Sequence, residues 1–199
     1  MRIKEFNDTL KDIPVDQFTT DPSDEEIEAV YKYVENSFEL NDHLRGQYIS
    51  KNKLDIDLLD SVIQKTKKNN YNFWRGSHLG FIGELYDIKK TASEDEFFEI
   101  ISHLLKHPEK LIGCHAVDKG FVSVTKEKEM ASYYSAASSN NGGGKTVLIN
   151  IDAKNIHALQ VKHEYILCRN QRFVCVDASV HIDEEDEDFK YFLLKMKLE

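Results

Sequence analysis

Three short segments carry residue types that chemistry could use: WRG at 74–76, FVSVT at 121–125 and KHEYIL at 162–167. Each lies in or beside a stretch that reads as a β-strand, and alternation sends one polar group of each to a concave face. Arg75 offers a guanidinium, whose planar fork matches phosphate oxygens and stays charged at any working pH. Ser123 offers a hydroxyl, with Thr125 two residues on and on the same face. Glu164 offers a carboxylate where its strand opens. Singly, each has an ordinary structural reading: a surface ion pair, a strand residue, an exposed charge. The ordered set of cation, hydroxyl and anion is what points to a site.

Other chemistries find less support. GGGKT at 142–146 suggests a phosphate loop, but that pattern needs glycine at 139, where Ser139 stands. It also follows a predicted helix and precedes a predicted strand, the reverse of the required order, so it reads as a mobile connection. His103 and His107 are four apart on a predicted helix, as two zinc ligands could be, yet no third ligand is spaced nearby. They read as surface histidines near a helix C-terminus. No G-x-S-x-G occurs and no Cys/His pair can be placed by spacing, so a hydrolase triad is unsupported. The acidic run DEEDED (183–188) reads as a solvated loop, and no metal is expected.

The elements that must position the three groups follow from local patterns. Ser23 with Glu26 three residues on forms a capping box, and Ile27, Val30, Tyr31, Val34 and Phe38 follow at helical spacing. A second helix is predicted near 39–47. Asp55 is placed to cap a third, with Leu58, Leu59, Val62 and Ile63 on one face. Ser93 and Glu96 form another capping box ahead of Phe97, Phe98, Ile101, Leu104 and Leu105, and Pro108 ends that helix. KEKEMASYYSAA reads as a short helix and SSNNGGG as a loop. TVLINI, HEYILC, RFVCV and YFLLKM read as strands. Helices first and then mainly strands is an α+β order.

Composition sets outer bounds. The 199 residues are 41% hydrophobic and 31% charged, with a net charge of -9. That suits one domain with a real core, and an acidic surface argues against broad contact with nucleic acid or anionic membrane. No run of 18 apolar residues occurs, and MRIKEFNDTLKDIPVDQ lacks the apolar region of a signal peptide. Three cysteines without a C-x-x-C pair suggest reduced thiols and a cytoplasmic setting.

The order and spacing of Arg75, Ser123-x-Thr125 and Glu164 resemble the ADP-ribosyltransferase superfamily, specifically its arginine-serine-glutamate branch of bacterial toxins and phage-encoded enzymes. ENSFELNDHLRG (35–46), with its Asn and Leu-Arg pair, resembles the helical lead-in of that branch. EMASYY (129–134) resembles the helix after the serine motif, and EYILCRNQRFVCVD (164–177) the strand-turn-strand that carries the glutamate. The likeness covers roughly residues 25 to 198, with a variable insert between Phe81 and Asp118.

The resemblance implies a helical lead-in (1–70) packed on a mixed, mainly antiparallel β-sandwich core (71–199) of the ADP-ribosyltransferase type, together one domain. It implies NAD as co-substrate, cleaved at the nicotinamide–ribose bond, and ADP-ribose passed to a macromolecular acceptor. By the same resemblance Glu164 stabilises the sugar cation, Arg75 holds phosphate, and Gly76 opens its backbone to the nicotinamide amide. Ser123 serves the ribose or orients the glutamate, Thr125 shares its face, and Tyr134 stacks near the ring or plugs the core. Trp74, opposite Arg75, is expected to pack into core. The setting implied is a bacterial or phage-infected host cytosol, with an antitoxin or inhibitor as a further candidate partner and no membrane.

One departure concerns the acceptor. Arginine-modifying members carry Glu or Gln two residues before the glutamate, where this chain has Lys162. In a continuous strand Lys162 and Glu164 would share a face, and an ammonium would repel an incoming guanidinium. That reading puts Lys162 on the acceptor side and favours an anionic or neutral acceptor: a nucleotide within RNA or DNA, another protein side chain, or water, which would make the protein an NAD glycohydrolase. A non-catalytic binding module on the same fold is the alternative from another class.

Overall fold

A computed structural model describes residues 12–46, 53–89, 91–137, 146–182 and 190–199. The acidic run (183–188) lies outside these, as does the glycine-rich segment save Thr146. The helices are α1 (Asp24–Glu35), α2 (Ser37–Leu44), α3 (Lys53–Gln64), α4 (Leu79–Leu85), α5 (Glu94–Lys106) and α6 (Lys128–Ala137). The strands are β1 (Asn69–Ser77), β2 (His115–Asp118), β3 (Val122–Thr125), β4 (Val147–Ile156), β5 (Ala158–Val161), β6 (Glu164–Leu167), β7 (Gln171–Ile182) and β8 (Lys190–Leu198). All eight join one hydrogen-bonded order, β2-β7-β8-β4-β1-β3-β6-β5. β4 runs parallel to β8, while β1–β3, β5–β6 and β7–β8 are antiparallel. The architecture is the expected α+β with a mixed sheet. Three short elements, β2, β5 and α4, had no clear sequence signal.

The chain falls into two compact units. The first takes residues 1–70, 118–124 and 155–171, so it unites α1, α2 and α3 with most of β3 and with the β5–β6 hairpin. Its core is formed by Val30, Tyr33, Leu59, Ile63, Phe121 and Ile166, each at most 2% exposed. The second takes residues 71–117, 125–154 and 172–199. There Leu148 and Ile149 of β4 pair with Leu193 and Leu194 of β8. Consecutive buried residues along β4 explain why TVLINI reads as an unbroken apolar run, the mark of a strand covered on both faces.

Both capping boxes form. Ser23 Oγ accepts from the Glu26 N–H at 3.3 Å, and the Glu26 carboxylate accepts from the Ser23 N–H at 2.6 Å. Ser93 and Glu96 repeat the exchange at the start of α5. Asp55 does not cap α3: it sits inside the first turn and pairs with Lys32 of α1 at 3.3 Å.

Glu26 does more than cap. It is 4% exposed, and it also accepts from Ser61 Oγ at 2.6 Å and Lys65 Nζ at 2.7 Å, which ties α1 to the end of α3. Burial alone would raise its pKa, but the hydrogen bonds from Lys65, Ser61 and the Ser23 backbone outweigh that and hold it below the usual carboxylate range. A depressed folded-state pKa adds stability above the unfolded value, and that stability is lost as pH falls through the folded one. Glu26→Gln is therefore expected to cost about 1.5–3 kcal/mol in urea unfolding at neutral pH. The gap to the unmutated chain should narrow once pH drops below about 4.

Candidate active site

In the first unit two of the candidate residues, Ser123 and Glu164, sit on neighbouring strands. Ser123 is the second residue of β3, and Glu164 is the first residue of β6. Ser123 is half-buried and contacts the Tyr33 hydroxyl of α1 at 3.2 Å. That hydroxyl is 3.4 Å from the Phe121 carbonyl and receives a hydrogen bond from Asn41 Nδ2 of α2 at 3.0 Å. Asn41 Oδ1 in turn accepts from the Phe121 N–H at 2.8 Å. The entry to β3 is thus gripped by two helices. Arg45, one turn beyond Asn41, makes a two-pronged bond to Asp118, with Nε–Oδ1 at 3.1 Å and Nη2–Oδ2 at 3.0 Å. Asp118 also accepts from the Gly120 N–H, which shapes the turn into the strand.

Glu164 is half-buried, and among the described residues no side-chain hydrogen bond or ion pair engages its carboxylate. Its backbone pairs with Val161. That register leaves only Lys162 and His163 between the strands, a two-residue hairpin. Lys162 has φ 54°, as the first position of such a turn requires. The strand expected to hold Lys162 therefore begins only after it, at Glu164, and the shared face with Glu164 does not exist. Lys162 is instead tied to the segment before α1: its N–H donates to the Asp12 carbonyl at 2.8 Å, and its ammonium meets the Asp12 carboxylate at 2.9 Å. Its reading as an acceptor-side residue loses the geometry on which it rested.

The second unit holds the other candidates. Arg75 lies half-buried on β1, with Phe73 (fully buried) and Ser77 (6% exposed) two residues to either side on the same face. Trp74 and Gly76 share the opposite face, which α6 covers. The Lys128 ammonium sits 5.4 Å from the Trp74 ring centre, so this tryptophan is half-buried under a cation rather than sunk in core. Phe73 is the core aromatic of the strand, stacked on Tyr71 at 4.7 Å.

Gly76 has a packing reason to be glycine. A Cβ there would lie 2.1 Å from the Ala131 carbonyl oxygen and 2.3 Å from the Ser135 nitrogen, both backbone of α6. Ser135 closes the same contact: its hydroxyl accepts from the Thr146 and Val147 N–H groups at 3.0 and 3.1 Å. Thr125, 5% exposed, pairs with Trp74 in the β1–β3 register, and its hydroxyl accepts from the Glu127 N–H at 3.1 Å. That bond turns the chain from β3 into α6. Tyr134 is 56% exposed on α6, so the core-plugging role expected for it is not realised.

Elsewhere the competing chemistries gain nothing. All three cysteines are free thiols, and burial pushes each one up, Cys175 to about 11, which works against a thiolate nucleophile. His103 is exposed and shares a 2.6 Å contact with Lys110. Among the described residues no group of three or more His, Cys, Asp or Glu side chains could hold a metal, and no helix is long and apolar enough to cross a membrane.

With the architecture and the strand-borne residues in place, the likeness to solved structures is decisive for the fold. This chain has the fold of the bacterial ADP-ribosyltransferase toxins. It matches Plx2a, an ADP-ribosyltransferase toxin from Paenibacillus larvae, with a TM-score of 0.67 at 16% identity over 98% of this chain and 95% of that one. It matches C3larvin toxin, an ADP-ribosyltransferase from the same organism, with a TM-score of 0.63 at 18% identity over 89% and 96%. C3stau2 from S. aureus, solved with NAD, matches with a TM-score of 0.65 at 14% identity over 100% and 96%. No family model matches the sequence, and no curated protein matches it significantly.

Tyr33 and Asn41 are the residues of interest that sequence reasoning missed, although Asn41 stands in the quoted Asn and Leu-Arg pattern. The Gly76 contact yields a direct check. Gly76→Ala is expected to lower unfolding stability by about 1–3 kcal/mol, because the obstacles are backbone atoms that cannot swing aside. Thermal or urea unfolding measures it.

Proposed function

We propose that the protein is a mono-ADP-ribosyltransferase that cleaves NAD at the nicotinamide–ribose bond and passes ADP-ribose to a macromolecular acceptor, protein or nucleic acid. The observation that carries this reading is the end-to-end likeness to ADP-ribosyltransferase toxins in a chain that keeps arginine, serine and glutamate on β1, β3 and β6.

The chemistry assigns each group a task. As the C1′–N bond breaks, nicotinamide leaves with the bonding electron pair and the pyridinium charge is neutralised. Positive charge then grows on the ribose, as in glycoside cleavage. A fixed carboxylate lowers the energy of that cation, and Glu164 is the residue proposed for it. A carboxylate not spent on a protein partner is suited to a ribose 2′-hydroxyl, which donates to it and fixes the sugar. Arg75 is proposed to hold the diphosphate: flanked by Phe73 and Ser77 on its own strand face, its stem starts from a fixed backbone, so less freedom is lost on binding. Gly76 and Thr125 are proposed beside the nicotinamide end, and exposed Tyr134 as an aromatic surface near it. The acceptor nucleophile then bonds to C1′ and gives up its proton.

The acceptor stays broad because the Lys162 argument against arginine no longer applies. Lys162 stands in the turn ahead of β6 rather than two residues along the same strand face, and its ammonium pairs with Asp12 at 2.9 Å. Water as acceptor, giving an NAD glycohydrolase, is the second reading, and the exposed tip of the hairpin favours it no less than a macromolecule.

Incubation with labelled NAD, with and without cell extract, separates these. Label on macromolecule that nuclease or protease then removes identifies the acceptor class, free ADP-ribose indicates hydrolysis, and absence of turnover leaves a binding module. Glu164→Gln should retain the folded state and NAD binding while losing NAD cleavage by at least ~10²-fold. Undiminished cleavage by that variant refutes the role given to Glu164.

A further inference from the structure

The orientation of the Asn41 side chain follows from one contact. The Phe121 N–H lies 2.8 Å from one end of the amide, and a backbone N–H can only donate, so that end is the oxygen. The other end is therefore the NH₂ group, and it donates to the Tyr33 hydroxyl at 3.0 Å. Tyr33 has a single proton to pass on. Its reach includes the Phe121 carbonyl at 3.4 Å, which can only accept, and Ser123 Oγ at 3.2 Å, which can accept or donate. The serine is the nearer. A tyrosine proton directed at Ser123 Oγ occupies a lone pair there and turns the serine's own proton away from Tyr33.

With the Tyr33 proton on Ser123 Oγ rather than on the Phe121 carbonyl, hydrogen bonds run in one direction, from Asn41 to Tyr33 to Ser123. Aligned donors polarise one another, which makes the last proton a better donor than that of an isolated serine. Burial has the matching gradient. Tyr33 is 2% exposed and Asn41 7%, whereas Ser123 is half-buried, so the chain is sealed at its root and open at its tip. The packing leaves little slack: a Cβ on Gly120 would come within 2.6 Å of Asn41 Oδ1. Tyr33 is also held edge-on to the Phe121 ring, 5.7 Å between centres.

We propose that Tyr33, backed by Asn41, is a positioning residue that aims the Ser123 hydroxyl outward as a hydrogen-bond donor, toward a ribose oxygen or the carboxylate of Glu164. The proposal rests on the reading of Ser123 as a site residue of NAD cleavage. It differs from a purely structural role for the same three groups, in which Tyr33 would stabilise the helix–strand contact and leave the serine's proton unassigned.

A double-mutant cycle on NAD cleavage tests it, with Tyr33→Phe, Ser123→Ala and the double variant, each checked for folding by circular dichroism. Tyr33→Phe keeps the ring and removes only the hydroxyl. It is expected to lower kcat about tenfold with KM changed less than about twofold. The double variant should be no slower than Ser123→Ala alone, because Tyr33 acts through the serine. Asn41→Asp provides a second route: its carboxylate can accept from both Phe121 N–H and Tyr33, which reverses the chain with little change of shape. It too should add nothing to Ser123→Ala. An unchanged kcat in folded Tyr33→Phe, or losses that multiply in either cycle, overturns the proposal. Ser123→Ala as fast as the unmutated protein overturns it while the transferase reading stands. Absence of NAD cleavage by the unmutated protein overturns both.

Discussion

The Asn41 amide is the joint on which the first unit depends. It faces a backbone N–H at the entry to β3 and a tyrosine hydroxyl from α1, and it is itself carried by α2. Three separate pieces of chain are brought to one buried group. A buried amide with either partner missing would cost about 1–3 kcal/mol, so the three must move together or not at all. A strand of only four residues has few ladder bonds of its own. Its position therefore comes from the helices, and the half-buried serine inherits that position.

A comparable logic governs the second unit. There the constraint is closeness: α6 approaches β1 at Gly76 so tightly that any side chain would be excluded. Ser135 closes the contact by accepting two N–H groups from the start of β4, and Thr125 starts the turn that delivers α6. Arg75 sits one residue from this contact. Its backbone is immobilised by packing on one face of the strand, while its side chain projects from the other. A guanidinium on so fixed a base suits the anion-holding role proposed for Arg75.

The legible parts of the sequence were those fixed by local rules. Both capping boxes, the apolar runs of β4 and β8 and the strand around Arg75 depend on neighbours within a few residues, and all formed. Apart from the local Asp55 cap, which lies inside its helix instead, what failed depended on packing and pairing at a distance. Lys162 was placed in a strand because KHEYIL continues an alternating pattern; only the Val161–Glu164 register shows the turn, and Lys-His lacks the Asn-Gly signature of φ > 0. Alternation puts Trp74 opposite Arg75 as expected, but that face is covered by α6 with the Lys128 ammonium over the indole, so Trp74 is half-buried there while Phe73, on Arg75's own face, is the fully buried aromatic. Tyr33 was overlooked because helical spacing from Ile27 and Val30 fits Tyr31 and Val34 equally well; Val34 proves 41% exposed and Tyr33 buried. Periodicity gave the stripe but not its rotation about the helix axis, which is decided by Phe121 and Asn41.

The central claim is that Glu164 faces the sugar of a pyridine dinucleotide. A crystal structure of the protein with NAD examines that claim most directly. The account predicts the ribose 2′-hydroxyl within hydrogen-bonding distance of the Glu164 carboxylate, with the nicotinamide bond beside it. A dinucleotide bound with its nicotinamide ribose away from β6 would contradict it.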